Sequence, residues 1–337
     1  MYAYVDNSRF KGYINSNPTN HRLNVMGGMI MGQESLHLRV SDGAAIEVQI
    51  DKAKIETVGV IHIMHGMAEH FHRYDKFVAS LNQQGYDVIR HHHRGHGYHV
   101  NEQERGHIPS LNRAAADAFE IIETLQTRYR DQQPYIVLGH SMGSLVARIL
   151  VQSHPKYVDG LVLTGTPQYN RLSVRLQRMF LKLITIVCGK KRKMHWLNQL
   201  MYRSFNKRVK EDKAQNSWLS SNHDEVAKYN QDPYSGFEVS NQLIYEMMKA
   251  IDTTTKLKNL KKMKVTLPVL LIGGKEDPVN KYGRGVRFLG KRFKKAGIEH
   301  VTVHMYKHKR HEILFEEGYE SVWQHLYNWL EKQILRK

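Results

Sequence analysis

One serine stands out in the run YIVLGHSMGSLVARIL, residues 135 to 150. Ser141 lies between Gly139 and Gly143, where an apolar strand-type run turns at once into a helical pattern. A hydroxyl held on such a turn is a nucleophile for acyl transfer, because the strained elbow lifts it clear of the sheet. Two backbones come close there, so the turn needs small neighbours, and Gly139 and Gly143 supply them. The helix that follows aims its N-terminus at the site, which makes the Met142 amide one donor to an oxyanion. A second donor is expected in IHIMHGMAEH, 61 to 70: His65-Gly66 turns the chain after a strand, and the Met67 amide faces the site.

Serine attacks a carbonyl only when a base takes its proton and an acid orients that base. With the serine on a strand-to-helix elbow, the acid and then the histidine follow it along the chain. The run VLLIGGKEDPVN, 269 to 280, offers Asp277 past a strand end, with Glu276 as competitor. The run HVTVHMYKHKRHEILFE, 300 to 316, offers His304, His308 and His311. His304 falls inside a strand pattern and reads as structural. His311 sits where a loop meets the last helix, and on position it is preferred to His308.

The chain has 337 residues, 21 of them histidine, and a single cysteine, Cys188. One cysteine allows no internal disulfide and fits a reducing compartment. The histidines invite a metal, yet no companion cysteines and no His-Glu-x-x-His helix accompany them, so no metal and no cofactor are expected. The first residues show no charged start followed by an apolar core, and no apolar run approaches the ~18 residues of a bilayer span. The expected location is cytoplasmic, peripheral at the inner membrane face.

The net charge is +18, and residues 171 to 213 carry thirteen Lys or Arg against Glu211 and Asp212. Such a field favours anionic partners. No recognition motif accompanies it, so nucleic acid is not an expected partner. Within that segment, Leu172, Leu176, Met179, Phe180, Leu183 and Val187 recur at helical spacing beside a basic stripe of Arg171, Arg175, Arg178 and Lys182. Two readings compete. Either the helix lies in an anionic bilayer interface, or its apolar face covers the active site while its charges face water.

The elements that must position these residues alternate. Residues 35–40 and 45–50 read as a hairpin, and 58–64, 87–91, 135–139, 160–165, 268–274 and 300–306 as buried strands. Helical periodicity falls at 71–84, 113–129, 142–153, 281–296 and 312–335. The pattern predicts an α/β fold, a mostly parallel sheet with helices on both faces, entered through an antiparallel hairpin. Between Gly165 and Pro268 no strand is predicted, only helices. The expected organisation is a poorly committed segment 1–32, a core of 33–166 and 256–337, and a helical lid inserted at 167–255.

The motifs HGMAEHFHRY, HHHRGHGYH, GHSMGS, GKEDPVNKYG and RHEILFE occur in this order. Together they resemble the lysophospholipase and monoglyceride-lipase branch of the α/β-hydrolases, with a serine aminopeptidase-type domain, over residues 35 to 337. WLSSNHDEVAKYNQDPYSGF, 218 to 237, resembles the bacterial members. The resemblance implies the α/β-hydrolase fold with Ser141 as nucleophile, Asp277 as orienting acid, His311 as base, and the Met67 and Met142 amides as oxyanion donors. Its C-terminal His-Glu pair matches His311-Glu312. It also implies a serine hydrolase that cleaves a lysophospholipid or monoacylglycerol through an acyl-enzyme. Met179, Phe180, Trp196, Met201 and Tyr202 are candidates for the acyl pocket. One departure is visible: where relatives have Asp before His-Arg-Gly-His-Gly, this chain has His92, which bears on loop packing rather than on the triad. Two alternatives remain. An aminopeptidase-type amide hydrolase would need an acidic anchor, for which Asp224, Glu225 and Asp232 are candidates. A catalytically silent, basic, membrane-adsorbing protein is disfavoured by the intact Ser141, Asp277 and His311.

Overall fold

The structure is a computed structural model, and it describes residues 27–336 apart from 31, 130–132, 208 and 210–213. The chain opens with strands β1 (Gly27–Ile30), β2 (Gln33–Arg39), β3 (Ala45–Asp51) and β4 (Gly59–Met64). Helix α1 (Asp75–Gln83) leads to β5 (Tyr86–His91). Helices α2 (Leu111–Thr124) and α3 (Gln126–Tyr129) precede β6 (Tyr135–His140), α4 (Met142–Ser153) and β7 (Gly160–Thr164). Then come α5 (Arg171–Val187), α6 (His195–Asn206), α7 (His223–Gln231), α8 (Asn241–Thr253) and α9 (Leu257–Leu260). The chain closes with β8 (Val269–Gly274), α10 (Arg284–Lys295), β9 (Val301–Tyr306) and α11 (Tyr319–Leu330).

The nine strands form one sheet in the order β1-β2-β3-β5-β4-β6-β7-β8-β9. Pairings from β1 to β5 are antiparallel, and every pairing from β5 through β4 to β9 is parallel. The central strands are buried on both faces, and their side chains alternate between two cores. Val60 and Met64 of β4, Val137 of β6, and Val269 and Leu271 of β8 join the core under α2, α4, α8 and α10. Ile61, Ile63, Ile136, Leu138, Leu270 and Ile272 join the one under α1 and α11. This period-two division is why such strands read as continuous apolar runs.

The strand order reverses at β4, which has β5 on one side and β6 on the other. Ligands bind past the carboxyl ends of strands at such a switch point. The register sets Met64 opposite Gly139, so the loops after β4 and β6 leave the sheet side by side.

Three expectations are corrected. Of the segment 1–32, residues 1–26 and 31 lie outside the described residues. Gly27–Ile30, however, is a strand paired with β2 through a turn holding Gly32 at φ 83°. An edge strand gains its backbone hydrogen bonds from its neighbour without any apolar alternation, so no pattern marked it. The helix expected from 281 starts at Arg284, since Lys281, Tyr282 and Gly283 all have positive φ. The one expected from 312 starts at Tyr319, after Gly318 at φ 67°, and its last turn, Glu331–Leu335, is a π-helix. No helix of the described residues is long and apolar enough to cross a membrane.

Candidate active site

Ser141 joins β6 to α4 at φ 49°, ψ −115°, a backbone conformation that non-glycine residues avoid at a cost of about 1–3 kcal/mol. Its surroundings enforce it. The Ser141 amide donates to the Thr164 carbonyl of β7 at 3.0 Å. The Ser141 carbonyl accepts from the Ser144 amide at 3.1 Å and from Ser144 Oγ at 2.5 Å. A Cβ on Gly139 would lie 2.6 Å from the Gly143 carbonyl oxygen, and one on Gly143 only 2.0 Å from that of Met64. Both glycines are therefore required by contact.

The loop after β4 is held as tightly. His65 Nε2 accepts from the His93 amide at 3.1 Å, so its proton sits on Nδ1, which donates to the Gly66 carbonyl at 2.8 Å. Burial, reinforced by His93, His96 and His92, keeps this imidazole well below its ordinary pKa and neutral. The Gly66 amide donates to Glu69, and the Ala68 amide to His96 Nε2 at 3.1 Å. Between them the Met67 amide has no acceptor among the described residues, and neither has the Met142 amide at the first turn of α4. These are the two donors expected for an oxyanion. Met67, Gly66 and Ser141 line one cavity.

Past β8, Asp277 Oδ2 accepts from His311 Nδ1 at 3.0 Å, with both side chains buried. Two further donors fix the carboxylate: Asn280 Nδ2 to Oδ2 and the Val279 amide to Oδ1, each at 2.8 Å. With Nδ1 committed to Asp277, Nε2 is the nitrogen left for proton transfer. Burial works against the imidazolium of His311, but the charge and hydrogen bond of Asp277, then Glu312 and Glu69, outweigh it and raise its pKa above 6.5. Neighbouring His140, buried 4.9 Å away ring to ring, is pushed down to about 3 by burial and by His311. One ring is poised to take a proton and the other is not.

The competitors pair with each other elsewhere. His308 Nδ1 contacts Glu276 Oε1 at 3.1 Å, with the imidazole 87% exposed, and neither lines the cavity. His304 lies in β9.

Several participants lie within the quoted motifs, but no role for them follows from the sequence. Arg73 joins two buried carboxylates, reaching Glu69 at 2.6 Å and gripping Glu312 with two bonds of 2.5 and 2.8 Å. It ties the loop that carries Met67 to the loop that carries His311. Desolvation raises the pKa of Glu312, while attraction to Arg73 opposes it. Trp218 packs against the His311 ring at 4.9 Å between centroids, and the Glu312 amide donates to the Leu219 carbonyl at 2.7 Å. Asn280, three residues from Asp277, is the one that spacing alone would have suggested.

The cavity holds about 640 Å³ and is lined by Ser141 and His311 and by apolar side chains of α5, α6 and α8, including Leu181, Leu197 and Met247. Of the expected acyl-pocket residues, Phe180, Met201 and Tyr202 line it, whereas Met179 and Trp196 do not. Glu69 and Glu312 are its only carboxylates among the described residues, and Arg73 engages both. Asp224 and Glu225 do not line it, and Asp232 binds His70 at 2.5 Å instead.

The basic stripe of α5 is corrected in part. Arg178 reaches Asp252 of α8 at 2.7 Å, and Arg175 approaches it at 3.8 Å, so these two turn toward the protein. Arg171 and Lys182 are exposed. Val174, Leu181 and Ile184 are the apolar residues α5 buries; of the apolar set expected to cover the site, Phe180 lines the cavity while Leu172, Leu176, Met179, Leu183 and Val187 are exposed and do not. At position 92 the ring stacks on Phe71 at 3.9 Å, in a space that Gly97 leaves open; it makes no side-chain hydrogen bond among the described residues, and Glu47 Oε2 lies 3.8 Å from its Nε2. Among the described residues, no cluster of histidines, cysteines or carboxylates has the arrangement of a metal site.

The family model described as serine aminopeptidase, S33, matches residues 55–318. The monoglyceride lipase of Mus musculus is 31% identical over 131 residues, 39% of this chain and 42% of that protein. The monoglyceride lipase of Rattus norvegicus is 25% identical over 253 residues, 73% of this chain and 74% of that protein. Among solved structures, a thermostable carboxyl esterase from Bacillus coagulans in complex with glycerol superposes with a TM-score of 0.82 at 26% identity, covering 90% of this chain and all of the esterase.

Proposed function

Because the chain belongs to the serine aminopeptidase S33 family of α/β-hydrolases, we propose that it is a carboxylic ester hydrolase of single-chain lipids working through Ser141, His311 and Asp277. His311 Nε2 takes the Ser141 proton, and Oγ attacks the ester carbonyl. The Met67 and Met142 amides hold the oxyanion, and Asp277 stabilises the imidazolium that forms. His311 then gives its proton to the departing alcohol. Water, deprotonated by the same ring, releases the fatty acid and restores the serine. The observation that carries this reading is the buried Asp277–His311 pair, whose imidazole lines the same cavity as Ser141. The apolar arm suits one acyl chain, and the absence of an unengaged carboxylate on its described walls favours esters over peptides with a free amino terminus.

Residues 167–255 are the lid of this site, and its outer face is a membrane-contacting surface. Leu172, Leu176, Met179, Leu183 and Val187 are each more than half exposed, beside exposed Arg171 and Lys182, which have no carboxylate partner among the described residues. Contiguous apolar exposure of this kind marks a contact surface, and flanking cations suit anionic headgroups. Phe180 belongs to both the exposed face and the cavity wall, so lipid reaching the lid is already at the site. The protein works peripherally, at an anionic membrane face.

Ser141→Ala tests the chemistry. Hydrolysis of p-nitrophenyl butyrate should fall at least about ten-thousandfold, and labelling by a fluorophosphonate should vanish. Unaltered turnover in that variant removes Ser141 from the mechanism.

A further inference from the structure

A second cavity, of about 630 Å³, lies beside the catalytic one. Tyr169, Ile251, Lys281 and Arg284 line both, so the two spaces share a wall. The second is basic. Arg171, Lys281, Arg284 and Arg292 face it, and Asp252 is its only carboxylate among the described residues. That carboxylate is already surrounded by Arg178 at 2.7 Å, Lys256 at 3.6 Å and Arg175 at 3.8 Å. Arg292 is fixed in the wall by two bonds to the Thr255 carbonyl, at 3.1 and 2.8 Å. Lys281 and Arg284 are exposed and have no carboxylate partner among the described residues; the Lys281 ammonium rests over the Tyr169 ring at 5.0 Å.

A further cation stands behind that wall. Arg148 of α4 is fully buried, and no carboxylate reaches it among the described residues. Its guanidinium makes only long contacts, to Thr166 Oγ1 and the Pro167 carbonyl at 3.4 Å and to Gln168 Oε1 at 3.3 Å, and Nε has no partner. Burial pushes its pKa down to about 9, which leaves it charged at neutral pH. Gln168 also lines the second cavity, so the buried charge lies one side chain behind it. A buried charge without a counter-ion is costly, and low-dielectric walls focus its field into the adjoining space.

We propose that this second cavity is the headgroup subsite of the esterase, and that Lys281 and Arg284 select single-chain lipids whose alcohol carries a net-negative phosphate. Lysophosphatidylglycerol and lysophosphatidate fit that description; monoacylglycerol, which has no charge, does not. The inference rests on the ester-hydrolase reading. Ser141 Oγ bonds to the acyl carbon, the bond from that carbon to the glycerol oxygen breaks, and this oxygen takes the proton from His311. The phosphate leaves unchanged on the departing alcohol. A zwitterionic headgroup gains less, because among the described residues its ammonium meets no carboxylate other than the one three cations already hold.

The test is a set of kcat/KM values on lysophosphatidylglycerol, lysophosphatidylcholine and monoacylglycerol of one acyl chain. It uses the full chain and the Lys281→Ala/Arg284→Ala variant. The unaltered chain should prefer the anionic lipid to the neutral one by about tenfold or more, and the variant should reduce that ratio by about tenfold, as expected for two lost contacts to a phosphate. Arg284→Lys should restore part of it. Lys291→Ala, on the exposed side of α10, should leave the ratio where it was. A ratio near one in the unaltered chain, or the same ratio in the double variant, overturns the proposal. Inhibition by the fatty acid product that is relieved in the double variant, with no headgroup preference, assigns the cations to the product carboxylate and overturns it too. Loss of all p-nitrophenyl ester turnover in the unaltered chain would instead strike the esterase reading itself.

Discussion

The sheet-borne site and the helical segment above it treat charge and apolar surface in opposite ways. Around Ser141 the ionisable groups are buried and almost wholly committed: Asp277 to His311 and Asn280, Arg73 to Glu69 and Glu312. On the outer side of α5 the apolar groups are exposed, and Arg171 and Lys182 have no acid beside them among the described residues. Pre-organised electrostatics need a fixed dry setting, because a charge held in place costs no reorganisation when the reaction begins. A surface that meets lipid needs the reverse, apolar area in water until lipid covers it. One chain thus keeps its paired charges around Ser141 and its exposed apolar groups on the outer side of α5.

Acid should break the core first and most completely. His62, His65, His91, His92, His93, His96 and His140 are buried, and burial is the leading cause that lowers each pKa, to about 3 for His62 and about 4 for His96. A histidine whose folded pKa lies below 6.5 binds its proton more readily unfolded, so stability falls as pH drops below 6.5. Each such ring contributes a loss of about 1.4 kcal/mol per pH unit once its unfolded form is protonated. Several together should unfold the chain between about pH 6 and 5, as read by circular dichroism. Retention of the folded signal at about pH 4 would contradict the burial of the rings.

The next effect is on turnover. Asp277→Asn should lower kcat about ten-thousandfold by misorienting His311. It should also move the acid limb of kcat/KM. A base must be neutral to act, so the raised pKa of His311 places that limb above pH 6.5, and loss of the carboxylate charge should shift it downward. An unmoved limb in the residual activity would separate Asp277 from the titration of His311.

Gly143→Ala should destabilise the fold by about 3 kcal/mol or more, because backbone rather than a side-chain tip stands 2.0 Å from the new Cβ. A thermal melt reads it. The smallest effect belongs to the other region. Leu176→Asp/Met179→Asp should cut sedimentation with anionic vesicles several-fold, yet change stability by no more than about 0.5 kcal/mol per substitution. Undiminished binding would leave the lid a cover only.

The parallel strands and the order serine, acid, histidine could be read along the chain because each rests on local chemistry: runs of apolar residues, and small residues flanking a turn. Ser141, Asp277 and His311 were each visible in that way. Position 92 showed as a departure, but its stacking on Phe71 did not. The bridge from Glu69 and Arg73 to Glu312 could not be found, since Arg73 and Glu312 are 239 residues apart and no spacing relates them.

The amino-acid order determined the elements, the elbow at Ser141 and the chemistry of its partners, for these follow from backbone sterics and side-chain type. Only the tertiary structure decided which face of α5 meets the protein. Periodicity offers several stripes, and the packing of Val174, Leu181 and Ile184 chooses the buried one, with Asp252 of α8 drawing in Arg178. The same folding brought Lys281, on the loop after Asp277, and Arg284, at the start of α10, beside a cavity backed by Arg148 of α4. Electrostatic fields add in space and not along a chain, so that convergence has no signature in one dimension.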